Sequence, residues 1–172
     1  MFRLSKTTDY GIVLMAQLAS EARHATREGS GNRAQNAREL AEASDLPAPM
    51  VSKILKALTR EGLLVSQRGS KGGYSLAVAP EDLTVSEMIR VFEGPVALMD
   101  CAIGPSLCEH EGVCAVREPW QVISRVVERA LADVSLADLV QRRADWSARR
   151  AQVSSTLQIK RAADRPNTSE SN

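Results

Sequence analysis

Apolar residues fall at helical spacing in a series of stretches separated by turn-forming residues. Tyr10, Val13, Leu14 and Leu18 repeat at steps of three and four, which predicts a first helix. Ser5 is its candidate N-cap, and Asp9 lies in its first turns, where the helix dipole favours a carboxylate. The pattern fades by Ala22, and the polar run from Arg23 to Gln35 reads as a surface loop. Asn36 with Glu39 forms a capping-box variant that opens a short second helix through Leu40, Ala41 and Ser44. After the Asp45-Leu46-Pro47 turn, Pro49 sits in the first turn of a third helix. The apolar face of that helix is Val51, Ile54, Leu55 and Leu58, and Gly62 ends it at C′.

The pattern then changes. Residues 63–68 and 74–78 read as two strands joined by a turn that carries Gly69, Gly72 and Gly73. Thr84 and Glu87 form a capping box for a fourth helix with Val85, Met88, Ile89 and Phe92 on one face, stopped by Gly94-Pro95. From Pro119, a helix carries Trp120, Ile123, Val127, Ala130 and Val134 in alternating steps of three and four, an a/d seam of about two heptads. This seam fits packing between subunits, because it lies beyond a domain whose core is already supplied.

Two short helices joined by a tight turn make a helix-turn-helix, and a hairpin directly after them makes its wing. The predicted fold is therefore mainly α with a small β-hairpin: a winged helix-turn-helix over residues 1–94, a loop over 95–118 and a dimerisation helix over 119–140. A polar, basic extension follows over 141–172, with the composition of a disordered tail at its end.

Composition changes this picture little; the distribution of charge changes it more. The 172 residues carry a net charge of only +1. From Leu46 to Leu76, however, Lys53, Lys56, Arg60, Arg68 and Lys71 face one acid, Glu61, while Val91 to Val116 holds no Lys or Arg. A basic third helix and wing suit the phosphates and grooves of double-stranded DNA. The candidate contacts are Pro49, Ser52, Lys53, Lys56, Arg60, Arg68, Lys71, Gly72 and Tyr74. No secretory signal and no membrane-spanning run is visible, so a cytoplasmic location is expected. No phosphate loop and no nucleophile–base pair is present, so neither catalysis nor a small-molecule substrate is expected.

All three cysteines, Cys101, Cys108 and Cys114, fall in one segment punctuated by Gly104, Pro105 and Gly112. Thiolates are soft ligands that suit iron–sulfur clusters and zinc. The gaps are wider than the C-x₂₋₄-C pairs of most zinc sites, which favours something larger than one ion. Zinc held by Cys101, Cys108, His110 and Cys114, and three unrelated reduced thiols, remain the alternatives.

The strings LSKTTDYG, ARELAE, LPAPMVSKILKALTREGLLVSQRGSKGGYSLA and FEGP, followed by the three-cysteine loop, resemble the iron–sulfur-sensing winged-helix repressors of the IscR, NsrR, RirA and SufR type. LPAPMVSKILK, LVSQRGSKGGY, CEHEGVC and VSLADL together are similar to the branch that regulates SUF-type cluster assembly. The resemblance covers roughly Met1 to Val140. It implies a cytoplasmic homodimer on a palindromic operator, with one cluster per subunit, two-iron or four-iron, on Cys101, Cys108 and Cys114. In the IscR-like pattern a histidine follows the third cysteine by three residues; Arg117 stands there instead. The resemblance leaves Asp9 of the partner subunit, as in the NsrR-like pattern, or His110 as the fourth ligand. The competing expectations are a winged-helix regulator with a structural zinc or thiol-redox loop, and an electron carrier.

Overall fold

The computed structural model describes residues 3–28, 34–69, 72–104, 107–109 and 112–141. Helix α1 spans Lys6–Glu28, α2 Ala37–Ser44 and α3 Ala48–Arg60; strands β1 (Leu64–Gln67) and β2 (Gly73–Leu76) follow. Next come α4 (Val85–Glu93), α5 (Asp100–Ile103), α6 (Arg117–Ala132) and α7 (Leu136–Leu139). The mainly helical fold with a two-stranded antiparallel wing is the one expected from the sequence.

The helix ends follow the expected chemistry. The Asn36 side chain accepts from the Glu39 backbone N–H while the Glu39 carboxylate accepts from the Asn36 N–H, and Thr84 and Glu87 repeat the arrangement. At the end of α3, Gly62 takes φ +78°. Its N–H donates to the Thr59 carbonyl and the Leu63 N–H to that of Leu58, a Schellman closure that satisfies two orphan carbonyls.

The core lies where α1, α2, α3 and α4 meet. Leu14, Met15, Leu40, Val51, Ile54, Leu55 and Leu58 are fully buried there, joined by Leu64 and Met88. Each large apolar side chain so buried contributes about 1.5–3 kcal/mol. Helices α1 and α4 approach closely because Gly11 lacks a side chain: a Cβ there would lie 2.5 Å from the Phe92 ring.

Three expectations are corrected. The first helix does not fade at Ala22 but runs to Glu28. Arg23 holds this last part by donating to the Val140 carbonyl at 2.9 Å, so a stretch without an apolar face is fixed by a polar tether. The surface loop is correspondingly shorter, and Gln35, expected within it, pairs with Tyr74 as an antiparallel bridge. Finally, the helix expected over 119–140 stops at Ala132. Ser135 caps a new turn, α7, through a capping box with Asp138, and Leu136 is fully buried in the core. The backbone carbonyl of Val134, a residue placed in the apolar seam by its spacing, lies beyond α6 and accepts from the Val85 N–H at 2.8 Å. The winged helix is thus completed by residues after α6, and the described residues up to Val140 form one compact unit. The extension from residue 142 onward lies outside the described residues.

Candidate functional site

Helix α3 owes its orientation to its buried face. Val51, Ile54, Leu55 and Leu58 lock it into the core, which leaves Pro49, Lys53, Lys56 and Arg60 exposed and Ser52 half-buried on the other side. Arg60 also meets Glu61, 3.3 Å away, in an exposed ion pair of little energetic weight. Glu61 is therefore the acid that dilutes the basic face.

The wing is fixed at its base. Leu64 pairs with Leu76 and Ser66 with Tyr74, and Leu64 is buried. Tyr74 N–H donates to the Gln35 carbonyl at 2.7 Å and Gln35 N–H to the Tyr74 carbonyl at 3.0 Å, so the residues just before α2 add a third edge to the hairpin. A Cβ at Gly73 would lie 2.5 Å from the Gln35 backbone, and one at Gly72 would strike the Gln67 carbonyl. The glycines expected for the turn thus also serve close backbone approach. Gly72 N–H closes the turn onto the Gly69 carbonyl at 2.9 Å, and Arg68 is exposed beside it. Tyr74 is half-buried against the core, and Lys71 lies outside the described residues.

Asp9 is exposed in the first turn of α1, and that turn is held from an unexpected direction. The last residue of α4, Glu93, accepts from the Ser5 N–H at 2.8 Å and from the hydroxyl of the fully buried Thr8. Those hydrogen bonds, the Thr8 hydroxyl foremost and then Ser5, hold the Glu93 carboxyl below its ordinary pKa, against a smaller opposing effect of burial. The strings at residues 4–11 and 92–95 are therefore partners: Glu93 caps α1, and Phe92 covers Gly11. Neither string shows this by itself, because the pairing joins residues 88 apart in sequence.

The cysteines lie on the segment between α4 and α6. Cys101 is in the short helix α5, which the sequence did not predict, and Cys108 and Cys114 lie in the loop after it; all three are free and half-buried. The thiols fit an iron–sulfur cluster in kind. Among the described residues, however, no three His, Cys, Asp or Glu side chains gather into a set able to hold a metal ion. The fit is one of donor chemistry and not of a preassembled cage. His110 lies outside the described residues.

Helix α6 packs on α4 and α5. Of the residues assigned to its seam, Ile123 is 44% exposed, while Trp120, Val127 and Ala130 are half-buried. The apolar face that α6 turns outward is Val122, Ile123 and Val126. No helix among the described residues is long and apolar enough to cross a membrane.

Residues 4–142 match the profile of the Rrf2 family, described as an iron-dependent transcriptional regulator. An rrf2-like HTH-type regulator of Rhodobacter capsulatus is 31% identical over 120 residues, covering 67% of this chain and 77% of the relative. The solved structure of CymR, the global cysteine regulator of Bacillus subtilis, is 28% identical with a TM-score of 0.63, covering 81% of this chain and 97% of CymR. That of T. potens IscR is 25% identical with a TM-score of 0.60, covering 81% and 86%. These relatives are regulators and not enzymes, and they share the winged-helix architecture. With its helix-turn-helix, its wing and this similarity over most of its length, the chain belongs to the Rrf2 family of transcriptional regulators.

Proposed function

We propose that this regulator is a cytoplasmic, cluster-sensing repressor of SUF-type iron–sulfur assembly genes that binds a palindromic operator as a homodimer. The observation that carries the reading is the placement of three free, half-buried thiols on the segment between α4, which belongs to the winged helix, and α6, which presents an unpartnered apolar face. Cys101, Cys108 and Cys114 would hold the cluster, with Asp9 of the partner subunit or His110 as fourth ligand. When bound, such a cluster supplies a redox- and ligand-labile centre. The similarity to an IscR supports the reading.

In this reading Lys53, Lys56, Arg60, Arg68 and Lys71 contact phosphates, and Ser52, near the start of α3, faces a base edge. Two copies of α3 must reach successive major-groove faces about 34 Å apart, so the pairing of subunits sets affinity. Val122, Ile123 and Val126 supply that pairing. Introducing a carboxylate at its centre, Ile123→Glu, would bury an unpaired charge across the two-fold axis, and folded monomers that bind a palindromic site poorly are expected on sedimentation.

A second reading is favoured by the dispersed cysteines and by the similarity to CymR: a regulator that senses thiol oxidation without a cluster. Anaerobic purification with an absorption spectrum, iron and sulfide analysis, and operator titration before and after cluster removal separates the two. The cluster reading expects a coloured protein whose operator affinity falls on removal, and a colourless Cys108→Ala variant that binds weakly. Full operator affinity in colourless Cys108→Ala protein overturns it. A more labile cluster in Asp9→Ala assigns the fourth ligand to the partner subunit's Asp9, and one in His110→Ala moves it into the loop.

A further inference from the structure

Helix α5 contains no buried residue. Between it and α6 lies a cleft of about 260 Å³, with Cys101, Ala102 and Gly104 on one wall and Arg117, Gln121 and Arg125 on the other. Helix α5 is therefore held without a fully buried apolar side chain. Among the described residues, two hydrogen bonds from side chains of α6 hold the segment. The Gln121 Nε2 donates to the backbone carbonyl of Cys101 at 2.9 Å, and the Ser124 Oγ accepts from the Leu98 N–H at 3.2 Å. Ser124 is only 3% exposed, although it is polar and sits in the middle of a helix. Leu98 meets Ser124 and Cys101 meets Gln121, so the segment lies along α6 in the opposite direction and is tethered at both places.

We propose that Gln121 and Ser124 are positioning residues that couple the state of Cys101 to helix α6, an inference that rests on the sensing function proposed above. Gln121 touches the cysteine's own peptide unit, so any change that rotates Cys101 either keeps or breaks that hydrogen bond. One helix diameter away, the outward face of α6 carries Val122, Ile123 and Val126. The helix thus has a polar face that grips the cysteine segment and an apolar face turned away from it. A shift in the first alters the second without passing through the hydrophobic core.

Gln121→Met keeps the length of the side chain and removes its donor; Ser124→Ala removes the second tether. In cluster-free protein, the rate of maleimide labelling at Cys101, followed by mass spectrometry, should rise roughly two- to tenfold in Gln121→Met, the population change expected for one net hydrogen bond. Labelling at Cys114 should stay as in the wild type. Gln121→Lys, which restores a donor at similar reach, should return Cys101 labelling toward the wild-type rate, whereas lost helix packing would not be rescued in this way. In cluster-loaded protein, both removal variants should retain iron and sulfide while the ratio of operator affinities with and without cluster falls toward one. Unchanged Cys101 labelling, or a wild-type ratio in both variants, overturns the coupling. A ratio of one in the wild type itself overturns the sensing function instead, and the labelling of cluster-free protein then decides whether the tether exists.

Discussion

Helix α3 with its wing and the cysteine segment are held in opposite ways. The first is fixed by fully buried side chains, a Schellman closure and a strand pair extended by Gln35. The second has a four-residue helix with no buried residue, tethered by Gln121 and Ser124. Local opening costs most where apolar contacts are dense and least where they are few. The helix-turn-helix and wing are thus built rigidly in advance, while the cysteine segment is left closer to its opening threshold.

The contrast is broken most forcefully from the core. Leu55→Ala should cost about 2–5 kcal/mol in urea unfolding, because it opens a cavity under α3. Ile103→Ala, at a residue 46% exposed in α5, should stay within about 0.5 kcal/mol of wild type. Equal losses would show that the two regions are held alike. Gly73→Ala comes next. Its Cβ meets the Gln35 backbone, and the overpacking should cost about 1–3 kcal/mol and loosen the wing, seen as faster amide exchange at Tyr74. Lys53→Ala should leave stability unchanged and lower the slope of log affinity against log salt by about 0.9, one phosphate's share. An unchanged slope would place the duplex elsewhere.

The smallest effect concerns Glu93. Its folded-state pKa is depressed, so its stabilisation is complete above the carboxyl's unfolded pKa and is lost as pH falls through the depressed folded value. Urea midpoints measured from neutral pH down into that acidic window should therefore fall less steeply for Glu93→Gln than for wild type. The group is exposed, and solvent screening keeps the difference small.

What the sequence disclosed and what it hid divide along the same physical line. The capping boxes at Asn36 and Thr84, the buried face of α3 and the glycine after it are local patterns, and local patterns repeat at a readable period. The Gln35–Tyr74 bridge, the Glu93 cap on α1 and the Arg23 tether to Val140 each join residues far apart in sequence through single polar contacts, and no period announces them. The spacing along α6 shows its limits in a related way. A heptad count finds apolar residues but not which side the chain's own neighbours occupy. Ser124, polar and nearly buried, marks that side. The cysteines themselves were plain to see; their dispersal over a helical turn and a loop was not.

After α6, the chain returns to the start of α4: Thr84 bridges Ser135, and the Leu136 N–H donates to the Leu83 carbonyl at 2.7 Å. Beyond core helix α4, the cysteine segment and α6 form an excursion closed at its root. The entropy of closing such a loop grows only with the logarithm of its length, and a doubling costs about 0.6 kcal/mol. Residues can therefore be inserted or deleted between the cysteines almost without penalty to the fold. A fold with a clasped excursion of this kind tolerates variation in the length of its cysteine segment while the winged helix stays as it is.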